Sequence, residues 1–389
     1  MVAMGNFITP IVQDLKCDVS QLTVYTSVQA ITMALLYTTA ARLLTTKRIG
    51  LVIGTFSIVE VIGLALMGTY QTVEMFYISG FLTGLSQAFT GFVAVPIILN
   101  MWFKKKNGTV LGIVTAVGTV AMMIYTLLSA RLITSVGWRN AYFILAGMAA
   151  VITIPAVFVL IRSPEEVGCE PYGVESVEQN NQHNQSEGLT KQKAFRTPRL
   201  YVAWLACVMF SYACGIAGYT ANFATMELRQ SIQFGAAVGV VSSLGGTLSS
   251  LIVGKINDQY GVKAGLVWGA VTTGLGYGVM FMSFRNPYFV YPAIFMVGLG
   301  SSMYQVQCPL MAREIVGSKH YSGIWSIMMM INSLIGGGLY STIGLFYDKL
   351  GSYSGAFLMG IVLYTLAGML GILSVNACAK HKLDKEAMR

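Results

Sequence analysis

The sequence predicts an all-α, polytopic membrane fold built from two related helical bundles, on the strength of three observations. The 389 residues are 55% hydrophobic and only 11% charged, with a mean hydropathy of +0.64, too little polar surface to cover a water-facing fold. Charge-free apolar runs as long as a bilayer core is thick recur along the whole chain. The chain also resembles itself on either side of a polar central segment, as a duplicated bundle should.

The elements follow in order. Uncharged runs cover residues 21–41, 75–103, 108–130, 140–161, 200–226, 230–254, 264–284, 286–312, 321–347 and 350–379, and another at 49–69 is interrupted by Glu60 alone. Each reads as a spanning helix, because about 20 consecutive apolar residues cross the hydrocarbon core. Together they leave no stretch for a separate soluble catalytic domain. Alternate loops differ in basic residues: one side collects Arg42, Lys47, Arg48, Lys104, Lys105, Lys106, Arg162, Lys191, Lys193, Arg196, Arg199, Lys255, Lys263, Arg313, Lys319, Lys380, Lys382, Lys385 and Arg389, and the other only Lys16, Arg131, Arg139, Arg229, Arg285 and Lys349. By the positive-inside rule that side, with the C-terminus, is expected in the cytoplasm. The net charge of +9 is then topological, so membrane lipid is an expected partner and nucleic acid is not. Residues 163–198 are polar and end in a basic run, which reads as a mobile cytoplasmic linker. The expected organisation is an N-terminal bundle at 1–162, this linker, a C-terminal bundle at 199–379 and a cytoplasmic tail at 380–389. The six cysteines (Cys17, Cys169, Cys207, Cys214, Cys308 and Cys378) form no CxxC pair, so no disulfide framework, metal site or cofactor is expected.

Two matches support the duplication. Ala41-Arg42-Leu43 aligns with Gly254-Lys255-Ile256 at an offset of 213. Gly137-Trp138-Arg139-Asn140-Ala141-Tyr142-Phe143 aligns with Gly351-Ser352-Tyr353-Ser354-Gly355-Ala356-Phe357 at an offset of 214. The same offset places the partner of the 200–226 run at about −13 to 13, so residues 1–13 read as the outer end of a first span whose inner half precedes Met1. The expectation is twelve spans, the first truncated to a stub.

Four motifs in order resemble those of the major facilitator superfamily. They are Trp102-Phe103-Lys104-Lys105-Lys106-Asn107-Gly108 followed by Gly112, Gly137-Trp138-Arg139 with Tyr142-Phe143, Pro164-Glu165-Glu166-Val167-Gly168, and Gly254-Lys255-Ile256-Asn257-Asp258-Gln259-Tyr260-Gly261-Val262-Lys263. Within that superfamily the chain resembles the bacterial oxalate/formate antiporter and monocarboxylate transporter-like group. The resemblance implies a major facilitator fold of two six-helix pseudo-repeats in a bacterial cytoplasmic membrane. It also implies secondary active transport by alternating access, as symport or antiport, of a small organic solute: a monocarboxylate or a neutral metabolite, with a coupled proton or counter-substrate. The last motif resembles the gating loop, in which Gly254, Asp258, Gly261 and Lys263 would form a state-dependent latch. Thr45-Thr46-Lys47-Arg48, its counterpart in the first half, lacks the aspartate. The runs 230–254 and 321–347 hold no charge, where oxalate-type members carry an Arg and a Lys, so oxalate is not the expected cargo.

An ionisable side chain at mid-membrane costs about 2.5–3.5 kcal/mol on insertion scales, so it marks a candidate functional group. Glu60 is that residue here and could couple protons to transport; the plainer reading is a neutral or hydrogen-bonded group between helices of a peripheral span. His183, His320 and His381 all fall in loops, so a histidine relay inside the membrane is not expected. Substrate recognition then falls to uncharged polar and aromatic groups near mid-depth: Gln29, Gln87, Tyr125, Tyr219, Asn222, Tyr304, Gln305 and Asn332. Glycines four apart (50/54, 80/84, 108/112, 235/239, 265/269, 274/278) suggest close helix packing, and the glycine run 336–338 suggests a weak point in its helix. No HExxH, GxSxG, P-loop or dinucleotide motif is present, so an enzyme is not expected. The competing reading is a transporter-like sensor or scaffold that binds without carrying.

Overall fold

The structure is a computed structural model and describes residues 4–45, 48–173, 191–318, 320–350 and 352–387. Lys47, Lys319, Gly351, His183 and most of the central polar segment lie outside the described residues. Those described are almost wholly helical, with one isolated bridge between Phe103 and Tyr172.

The first helices are α1 (Met4–Leu15), α2 (Val19–Leu43), α3 (Ile49–Met67), α4 (Met75–Thr90) and α5 (Ala94–Trp102). The break between α4 and α5 falls at Gly91, two residues before the turn that Pro96 enters without a backbone N–H to donate. The pair still forms one apolar stretch, Met75–Trp102. Next comes α6 (Asn107–Leu160), which is two spans joined at Gly137, where φ 80° and ψ 162° are open to glycine but strained for other residues. Short helices α7 (Pro164–Val167) and α8 (Lys191–Phe195) follow. Helix α7 starts with a capping box, the Ser163 N–H donating to Glu166 Oε2 at 2.9 Å.

The second half holds α9 (Pro198–Ala217), α10 (Ile232–Tyr260), α11 (Val262–Met280), α12 (Val290–Gly300), α13 (Cys308–Val316), α14 (Tyr321–Leu350) and α15 (Ser354–Ala387). Two π-helical turns extend spans: Phe223–Glu227 beyond α9, and Met303–Gln307 between α12 and α13. The backbone is helical through the 336–338 glycines. Eight helical stretches among the described residues are long and apolar enough to cross a membrane, one of them the double span of α6.

The chain divides into two compact units, residues 1–104, 120–174 and 325–334 forming one and the remainder the other. Their packing repeats the internal offset. In the first unit a Cβ at Gly84 would lie 2.6 Å from the Gln29 carbonyl oxygen, and one at Gly63 would meet Thr83. In the second a Cβ at Gly298 would lie 2.6 Å from the Ser242 carbonyl oxygen, and one at Gly276 would meet Val297. Both pairs of contacts recur 213 or 214 residues later, so the duplication is one of helix packing and not of a few motifs. Gly50, Gly54, Gly80, Gly108, Gly112, Gly265 and Gly269 are also close-approach points, whereas Gly239, Gly274 and Gly278 have open space at the Cβ position. Spacing alone did not separate these groups, because it fixes the face a glycine occupies but not what lies opposite.

Candidate functional site

A cavity of about 360 Å³ opens inside the first unit, within the usual range of roughly 300–1,000 Å³ for small-ligand pockets. Its polar walls come from helix periodicity. Tyr25 and Gln29 are one turn apart on α2; Thr83, Gln87 and Thr90 form an i, i+4, i+7 stripe on α4; Ser57 and Glu60 project from α3. Tyr125 and Thr153 are contributed by the two limbs of α6. Phe7, Met67 and Tyr142 close one end, with the Phe7 and Tyr142 rings stacked at 4.1 Å between centroids. That end belongs to an apolar cluster with Tyr70, Phe76 and Trp138. It is tied at its rim by Asp14, which pairs with Arg139 and accepts from the Trp138 indole N–H at 3.2 Å.

Glu60 is the sole Asp, Glu, Lys, Arg or His among the described lining residues. Its carboxylate accepts from the Ser86 hydroxyl at 3.0 Å and from Gln87 Nε2 at 3.3 Å. Gln29 is 3% exposed; its Nε2 donates to Thr83 Oγ1 at 3.2 Å, while its Oε1 is buried without a partner among the described residues.

Four of the residues singled out from sequence therefore meet on one cavity: Gln29, Glu60, Gln87 and Tyr125. Tyr219, Asn222, Tyr304 and Gln305 lie in the second unit, and Asn332 is buried in the 325–334 segment without lining this cavity. Tyr219 packs 6.1 Å from the Tyr353 ring, and Tyr304 and Gln305 sit half-buried in the second π turn. Tyr25, Ser57, Thr83 and Thr90 escaped the sequence reading, although the i, i+4, i+7 spacing of Thr83, Gln87 and Thr90 was visible in it. Short hydroxyl side chains bond their own helix backbone so readily that spacing alone gives them little weight: Thr83 does so here, donating to the Ser79 carbonyl at 2.7 Å.

A second feature lies in the other unit. Asp258, near the end of α10, accepts from the backbone N–H groups of Gly108 at 2.9 Å and Thr109 at 2.6 Å, the first amides of α6. A carboxylate there satisfies donors the helix itself leaves open and meets the positive end of its dipole. Glycines allow the approach: a Cβ at Gly254 would lie 2.4 Å from the Gly108 carbonyl oxygen, and one at Gly112 would lie 2.2 Å from that of Ser250. Gly261 takes a positive φ of 81° in the turn, and Lys263 is exposed. The 105–119 segment groups with the second unit.

A family profile described as Major Facilitator Superfamily matches residues 1–248 and 227–386. The chain belongs to the major facilitator superfamily. It is a multi-pass membrane protein, and the family is one of transporters and not of enzymes. Curated relatives are more distant. The uncharacterized MFS-type transporter YddS of Bacillus subtilis (strain 168) is 25% identical over 186 residues, 44% of this chain and 42% of that protein. A putative glycerol-3-phosphate transporter 1 of Arabidopsis thaliana is 24% identical over 235 residues, 54% of this chain and 45% of that protein. The matched stretches thus span less than half the length of either relative. Among solved structures, the E. coli fucose:proton symporter FucP aligns with a TM-score of 0.69 at 11% identity, covering 96% of this chain and 95% of that one. The proton:xylose symporter XylE, bound to 6-bromo-6-deoxy-D-glucose, aligns at 0.69 and 12% identity, covering 97% and 91%. At such identity these likenesses concern the fold alone.

Proposed function

We propose that this superfamily member is a secondary transporter of a small, neutral, hydroxyl-bearing solute, with Glu60 as the group that couples solute movement to protons. The observation that carries the proposal is the cavity wall: amides, hydroxyls and phenols surround a single carboxylate. A carboxylate with no cation beside it among the described lining residues repels an anionic solute, which favours the neutral metabolite over the monocarboxylate and over a phosphate ester. Ligand hydroxyls suit the Tyr25, Gln87, Tyr125 and Thr90 side chains on the wall. The two solved symporters, named for fucose and xylose and for protons, accord with this reading.

In the proposed cycle the bundles 1–162 and 199–379 alternate access, and the Asp258 contact is a latch made in one state and broken in the other. The C-terminus and the latch lie on the cytoplasmic side of the membrane, as the distribution of lysine and arginine suggests, and the family resemblance points to a bacterial cytoplasmic membrane. Uptake into proteoliposomes, with a panel of labelled sugars, polyols and monocarboxylates under an imposed pH gradient, tests the proposal. Accumulation of a neutral solute supports it; accumulation confined to monocarboxylates refutes the substrate assignment. Saturable binding with no flux would select the sensor or scaffold instead.

A further inference from the structure

The turn that presents Asp258 is held from one side by a single buried amide. Gln307, with no exposed surface, accepts through Oε1 from Asn257 Nδ2 at 2.7 Å and donates through Nε2 to the Val262 carbonyl at 2.7 Å. Those two partners bracket the last residues of α10 and the Gly261 joint that turns the chain into α11. Asn257 Nδ2 also donates to the Val253 carbonyl at 2.7 Å, which fixes the amide orientation so that Oε1 of Gln307 is its acceptor. Gly265 makes room for both: a Cβ there would lie 2.3 Å from Gln307 Oε1 and 2.6 Å from Asn257 Nδ2. Gln307 is also the last residue of the π turn Met303–Gln307, which carries Tyr304 and Gln305.

A π turn holds one more residue than an α-turn, so tightening it to α geometry rotates every residue beyond it by about 100° and withdraws Gln307 from the turn. A fully buried amide that has lost both partners is costly, so the π turn and the bracketed turn should change together. We propose that Gln307 is a positioning residue: it locks the 257–262 turn in the geometry that delivers the Asp258 carboxylate to the start of α6, and thereby ties the π turn of the 287–316 span to the latch. The proposal rests on reading Asp258 as a latch, and the test separates the two.

The amides of Gly108 and Thr109 are first-turn donors without helical partners, so Asp258 is what protects them from solvent exchange. Hydrogen–deuterium exchange of the full chain in nanodiscs, followed by mass spectrometry of the peptide containing these residues, reports the latch directly. Asp258→Asn calibrates it, and exchange should rise about tenfold, the factor supplied by a helix cap of ordinary strength. Gln307→Leu, which keeps volume and removes both bonds, should raise exchange there by a similar factor. The double variant should exceed neither single one, because both act on one contact. Gln307→Met, unbranched and equally unable to bond either partner, should match Gln307→Leu and serves if the leucine variant does not fold. If Asp258→Asn raises exchange and neither Gln307 variant does, the positioning role is wrong. If the Gln307 variants raise exchange equally across α11 and α15, the residue is merely structural and the proposal fails. If Asp258→Asn leaves exchange unchanged, the latch reading itself fails.

Discussion

Gly112 sits where α6 and α10 touch backbone to backbone, and an added methyl there has a calculable effect. A Cβ at Gly112 would stand 2.2 Å from the Ser250 carbonyl oxygen, so the helices must separate by about 0.8 Å to reach even 3.0 Å. The same movement stretches the Asp258 bonds to Gly108 and Thr109 from 2.9 and 2.6 Å to about 3.7 and 3.4 Å, at or past the useful limit. Losing one charge-assisted bond and weakening the other costs about 1.5–3 kcal/mol, a ten- to hundredfold shift away from the joined arrangement. Ser250, 2% exposed, supplies the reporter. In a cysteine-free background carrying Ser250→Cys, Gly112→Ala should raise the rate of thiol labelling by about that same ten- to hundredfold factor. Gly239→Ala, at a position with nothing within 4 Å of the added carbon, should leave the rate unchanged. Equal rates in the parent and Gly112→Ala would refute the reasoning, as would equal rates in the two alanine variants.

Gly137→Ala should lower the unfolding temperature, since φ 80° with ψ 162° costs a residue bearing a Cβ about 1–3 kcal/mol, while Gly147→Ala, in open helix, should not. Two acids, Asp14 in the first unit and Glu227 in the second, should differ in thermal unfolding. Asp14→Asn removes an ion pair whose side chains are 40% and 43% exposed, worth about 0–1 kcal/mol. Glu227→Gln weakens half-buried bonds from Ser352 Oγ at 2.6 Å and the Tyr353 N–H at 2.8 Å and should destabilise more. The Glu74 carboxyl is held below its ordinary value by its own backbone N–H and then by the Thr72 hydroxyl. Its contribution is therefore present above the unfolded value of 4.5 and fades as pH falls through the lower folded value. Thr72→Val should raise that midpoint in an acid titration of Glu74 followed by NMR.

Span positions were legible because length and hydropathy dictate them: the 49–69 run became α3 at Ile49–Met67, and 264–284 became α11 with its short extension. The duplication was legible from two short matches, and its structural depth emerged from glycine contacts that identity searches pass over, such as Gly84 with Gln29 against Gly298 with Ser242. The site was legible in part. Glu60, Gln29, Gln87 and Tyr125 stood out because buried charge and amides are rare in apolar helices. Their convergence depended on which helix faces pack together, and that choice is tertiary. The bracket of Gln307 around the 257–262 turn was not legible, because nothing local marks a glutamine 45 residues from the carbonyl it holds.

Glu60 carries the central claim, and proton-driven accumulation of solute in proteoliposomes tests it most directly. With wild-type protein an inward proton gradient should drive accumulation of the transported solute. With Glu60→Gln, exchange of labelled for unlabelled solute should persist while gradient-driven accumulation and its pH dependence vanish. Undiminished accumulation by Glu60→Gln, with the wild-type pH profile, would contradict the account.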